Sequence, residues 1–152
     1  MRRHDPTEIL VRLFQRLYRS LPMYLAEAVP WTHSGDQQAQ RVLAGVVADA
    51  RGYCQRIAER ILQLRGRLDL GEFPMEFTDL NLLSLDYLLT ELVRWQKADV
   101  RAIEQLAAEL AEGSEDRALA EEVLGNARGH LQSLEELLKR PDSPPLKIAA
   151  VS

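Results

Sequence analysis

Cysteine is almost missing from this sequence. Cys54 is the only one, which excludes an internal disulfide and suits a reducing cytoplasm, where we expect a buried, inert thiol. Aromatic residues are also scarce, at 6 %, and no apolar run approaches the ~20 residues that a membrane span needs. The stretch "EILVRLFQRLYRSL" behind the basic residues Arg2 and Arg3 is interrupted by charge every few positions, so it is not the core of a signal peptide. Neither sign of charge dominates. The net charge is −4 with both signs interspersed, leaving no basic field to grip a phosphate backbone, so nucleic acid is not an expected partner. What is abundant is Leu, Ala, Glu, Arg and Gln, in a chain of 152 residues that is 46 % hydrophobic. That composition favours long helices around a single core, an all-α fold.

Helix signals divide the chain. Asp5-Pro6-Thr7-Glu8 carries an N-cap side chain, a first-turn proline and an acidic residue at the positive end of the helix dipole. The first helix is expected over about 6–31, with Leu10, Leu13, Leu17, Leu21, Tyr24, Ala28 and Trp31 inward and a kink at Pro22. Ser34-Gly35-Asp36 restarts the chain into a second helix over about 36–65, with Val46, Ala50, Tyr53, Ile57, Ile61 and Leu64 inward, ended by Gly66. "GRLDLGEFPMEFT" has no helical period and holds two glycines and a proline. A third helix follows over about 79–112 with Leu85, Leu88, Leu92, Trp95, Ala102, Leu106 and Leu110 inward. After Gly113, Ser114 caps a fourth over about 114–139, with Ala120, Val123, Ala127, His130, Leu134 and Leu137 inward. Residues 1–140 read as one bundle domain, and 141–152, "PDSPPLKIAAVS", as a proline-rich tail.

Connection lengths carry the topology. The first and third links are a few residues each, so each joins an antiparallel hairpin. The middle connection is different. A helix of about 30 residues is roughly 45 Å long, and the 13 residues from Gly66 to Thr78 reach roughly 43–47 Å when extended. That suffices to run back along the bundle and set the second and third helices parallel.

One long crossover between two hairpins is the layout of ferritin-like bundles. The segments "QRIAERILQLRG" and "GHLQSLEEL", together with "MYLAEA" around Tyr24, resemble the second, fourth and first helices of bacterioferritins, and the resemblance covers roughly residues 8–139. It implies a ferritin-like four-helix bundle. It would also imply two irons held by one Glu from each of two helices and a Glu-x-x-His pair from each of the other two. Carried over residue by residue, those positions fall on Leu17, on Ala50 and Tyr53, on Glu91, and on Ala127 and His130. At most two of six ligands remain, and the sequence contains no Glu-x-x-His. The position resembling the haem-ligating methionine is Arg51. No cofactor is therefore expected.

His130 stands in the inner stripe without its carboxylate. Either it is a neutral core histidine bonded to Glu91, Tyr53 or a backbone carbonyl, or His130, Glu91 and Tyr53 with water hold one metal ion, zinc more readily than paired iron. Asp99 falls at stripe spacing and is expected to meet an arginine at the bundle edge. Arg12, Arg16 and Arg19 read as a solvated face. Phe14, Tyr18 and Leu25, with Leu43, Val47 and Cys54, form a second apolar strip that suggests a homodimer through the face of the first two helices. The tail suggests docking on a partner protein or shell. The function expected from these residues is non-catalytic, an interaction or assembly module. The alternatives are an iron-binding, ferroxidase or iron-storage protein with a displaced or mononuclear site, and a bundle that binds a small molecule in the space at Ala50 and Ala127.

Overall fold

Asp5 caps the first helix as its side chain predicts, accepting from the Thr7 N–H at 2.9 Å. In the computed structural model, which describes residues 5–28, 37–80 and 85–140, helix α1 then spans Pro6–Tyr18 and α2 spans Leu21–Ala28. The single helix expected over 6–31 is therefore broken, not merely kinked. Pro22 has no amide hydrogen for the Tyr18 carbonyl, and the chain leaves the helix over Arg19 and Ser20 before resuming. Trp31 and the Ser34-Gly35-Asp36 restart lie outside the described residues.

Helix α3 spans Gln37–Gln63. It ends in a Schellman turn: Gly66 N–H donates to the Ile61 carbonyl at 2.9 Å and Arg65 N–H to that of Leu62 at 3.0 Å. The left-handed residue of this turn is Arg65, with φ 60°, and not the glycine. Gly66 is needed for a different reason. A Cβ there would run into the Thr7 side chain and press on Ile61, so with any other residue the turn or those side chains would have to shift from the start of α1.

From Gly66 the chain follows α1 and α2 from one end to the other. Gln15 Nε2 donates to the Asp69 carbonyl at 2.9 Å, and Arg19 Nε donates to the carbonyls of Leu70 and Gly71 at 3.2 and 3.0 Å. Phe73 then packs edge-on to Tyr24, and Phe77, in a 3-10 helix over Met75–Leu80, packs on Trp95. The third helix starts later than expected: α4 spans Leu85–Glu109, and residues 81–84 lie outside the described ones. After Gly113, Ser114 caps α5, Glu115–Leu138, by accepting from the Arg117 N–H at 3.1 Å.

Two large apolar clusters fix the helix directions. One joins Ile9 and Leu13 to Ile57, Ile61, Ile103, Leu110, Ala120 and Val123. The other joins Leu21 and Leu25 to Ala39, Leu43, Leu88, Leu92, Leu134 and Leu137. Both α3 and α4 run from the second cluster to the first, so they are parallel, and α1 with α3 and α4 with α5 are antiparallel. The described residues are helical with no strand, and no helix among them is long and apolar enough to cross a membrane.

The second apolar strip is not spare. Leu25 and Leu43 are fully buried, Phe14, Val47 and Cys54 nearly so, and Tyr18 stacks on Phe14. These side chains seal α1 and α2 against α3, because a core-facing helix buries a stripe wider than one line of residues. Cys54 is buried as expected, and burial pushes its thiol up to about 12, where it is inert.

Candidate functional site

Each helix positions the residues that the resemblance singles out, but they do not converge. Leu17 packs at the edge of the first cluster, Ala127 lies inside that cluster, and Ala50 belongs to a small satellite with Met23 and Val47. Arg51 is exposed on α3. Glu91 forms a two-pronged ion pair with Arg94 one turn along α4, at 2.6 and 3.0 Å. That guanidinium holds the Glu91 carboxyl below its ordinary range against the opposing effect of partial burial. The Trp95 indole N–H is buried with no hydrogen-bond partner among the described residues, and it adds a smaller downward influence on the same carboxyl. Tyr53 donates from its hydroxyl to Glu122 Oε2 at 2.9 Å, and partial burial followed by this carboxylate raises its pKa.

His130 bonds to none of its expected partners. Its Nε2 lies 2.8 Å from Asp49 Oδ2 on α3, with Asn126 Nδ2 donating to the same oxygen at 2.9 Å. The side chain is 18 % exposed. A residue three positions after Ala127 is turned about 60° round the helix from it, and that turn carries His130 from the core line to the edge facing α3. The three expected metal candidates thus have three separate partners. Among the described residues no group of three or more His, Cys, Asp or Glu side chains is placed to hold a metal ion.

These contacts form a polar seam between α3 and α5. Asp49 meets His130 and Asn126, Tyr53 and Arg56 meet Glu122, and Arg60 meets Asp116 at 2.6 Å. The pairing with Arg56 lowers the pKa of Glu122 and raises that of Arg56. α3 and α5 approach each other over fewer residues than the hairpin partners do, and this ladder spans the line where they meet.

A cleft of about 460 Å³ opens on the opposite side, between α1 and α4. Its wall on α1 carries Arg12, Arg16 and Arg19, its wall on α4 carries Trp95, Asp99, Leu106 and Glu109, and the crossover adds Gly71, Glu72 and Phe77. Asp99 meets an arginine as expected, accepting from Arg16 Nε at 2.7 Å, but it is buried rather than at the bundle edge. Two influences oppose each other on its carboxyl. Burial outweighs the nearby guanidinium and lifts its pKa from 3.8 to about 6. The arginines read as a solvated face instead form one wall of this cleft. Arg19 is further fixed between the rings of Tyr18 and Phe73, 4.7 Å from each centroid. Gly71 has φ 70° and stands where a Cβ would press on the Gln15 side chain, so the strap beside the cleft requires a glycine.

The signal for the cleft was present in the sequence as three arginines at steps of four and three. Its partner residues come from segments more than 50 positions away, which helical periodicity does not reach. Gln96 was also missed: it is buried, and its Nε2 donates to the Ala127 carbonyl at 3.0 Å, tying α4 to α5. No family model, curated protein or solved structure matches this chain.

Proposed function

We propose that this chain is a non-enzymatic, ferritin-like bundle without a dinuclear iron site, serving as an interaction or assembly module. The observation that carries the reading is the fate of the ligand positions. Leu17, Ala50 and Ala127 are packed among apolar side chains, while Glu91, Tyr53 and His130 each engage a different neighbour. Two divalent cations need several anionic oxygens around one point, and these residues do not supply them. The ferritin-like part of the reading is supported by the parallel α3 and α4 and by the crossover that follows α1 and α2. An assembly of this chain uses a face other than the apolar strip between α1, α2 and α3, which is internal.

The competing reading, a ferroxidase with a displaced site, rests on the resemblance alone. Adding ferrous iron aerobically to purified protein of measured metal content separates the two. Ferric oxo absorbance is expected to rise no faster than in buffer. Oxidation above that control would remove the proposal. Light scattering with the full chain, alone and with candidate partners, tests the assembly role, and a strictly monomeric protein that captures nothing would count against it.

A further inference from the structure

The α1–α4 cleft has binding chemistry that a scaffold does not use. Arg16 commits only its Nε, to Asp99, and Arg19 commits only its Nε, to the strap carbonyls. Arg12 has no hydrogen-bond or ion-pair partner among the described residues. The terminal nitrogens on this wall have no protein acceptor among the described residues. Phe77, Trp95 and Leu106 line the same cleft. The volume falls in the range of small-molecule sites, which pair a mostly apolar lining with a few convergent polar groups.

The cleft also carries carboxylates: Glu72 lines it, and Asp99 offers a second oxygen that Arg16 does not take. Doubling the charge on the head would double its attraction to the arginines as well as its repulsion from these carboxylates, so it is the apolar lining that favours an organic anion over a bare inorganic one. We propose that the cleft binds a small organic anion with an apolar body, such as a carboxylate, its head on Arg12 and Arg16 and its body on Phe77, Trp95 and Leu106.

The head then lies beside Asp99. The other charged groups that line the cleft with that carboxyl are Arg12, Arg16 and Arg19 from α1, Glu72 from the crossover and Glu109 from α4, and of these Arg16 is the one in contact with it. Asp99 protonates at about 6, and losing its charge removes the nearest repulsion, so affinity rises as the pH falls through that value.

Calorimetric titration of the full chain with 1-octanesulfonate tests this, since the sulfonate stays singly charged at both about pH 5 and about pH 7.5. Octylammonium and inorganic phosphate serve as parallel probes. Octanesulfonate is expected to bind roughly threefold or more tightly at the lower pH, and better than either other probe. Arg12→Gln is expected to weaken it roughly fivefold or more without altering the melting temperature of the free protein. Asp99→Asn is expected to keep binding and lose its pH dependence. No octanesulfonate binding, equal binding of octylammonium or phosphate, or unchanged affinity in Arg12→Gln would overturn the proposal. Binding to the unaltered protein that ignores pH would overturn the placement of the head beside Asp99. Should Asp99→Asn fail to fold, the Arg12→Gln result decides alone.

Discussion

At Arg65 the chain holds a side-chain-bearing residue in a left-handed conformation, which costs L-residues about 1–2 kcal/mol. Glycine relieves that strain at some entropic cost to the folded state, so Arg65→Gly is expected to raise the stability by up to about 1 kcal/mol in urea unfolding. Asp99 supplies a pH dependence of definite sign. Its folded pKa is raised, so the stability it allows is complete below about 3.8 and is lost as the pH climbs to about 6. The two-unit gap corresponds to about 3 kcal/mol as an order of magnitude. Asp99→Asn is expected to flatten the stability profile between those values, as chemical unfolding at a series of pH values would show. Single residues were partly legible in the sequence. Asp5 and Ser114 announce their caps through side chains that act within three positions, whereas the burial of Asp99 depends on how two distant helices meet.

At the scale of the helix, apolar spacing placed α3 and α5 well and misjudged their edges. His130 keeps a core residue's spacing but lies on the rim, because a stripe at steps of three and four drifts round the helix and its outermost members face a neighbour rather than the centre. The α3–α5 ladder is partly exposed, and exposed ion pairs contribute little. His130→Ala is accordingly expected to cost under about 1 kcal/mol and to leave the metal content of the purified protein unchanged. A larger loss of stability would mean that the seam acts as a cooperative network. The broken first helix follows from Pro22, which the sequence displays. In that break Arg19 holds the crossover, a contact with residues 51 and 52 positions away that helical spacing does not reveal.

Across the whole molecule, the apolar centre is the feature on which the proposed reading without a dinuclear site rests. Ala127 is 4 % exposed within the first cluster. Ala127→Glu, which restores the carboxylate that the resemblance would place there, is expected to lower the stability by more than about 2 kcal/mol and to recruit no iron. Unimpaired stability with stoichiometric metal would reverse that view. The topology was the most legible feature, since the length of an extended chain against the length of a helix is plain geometry. The strip on α1, α2 and α3 was the least, because apolar residues between two packed helices and apolar residues awaiting a partner look alike along a sequence.

The crossover has one more consequence. Because residues 64–80 run the length of α1 and α2 before the chain enters α4, the two hairpins are made of separate halves of the polypeptide. Each half is expected to close by short-range zipping, with the docking of one finished hairpin on the other as the slower event, for which the tether sets the local concentration. Severed at exposed Arg67, the halves would become a bimolecular pair whose reassembly slows on dilution, so concentration would replace the tether as the clock of folding.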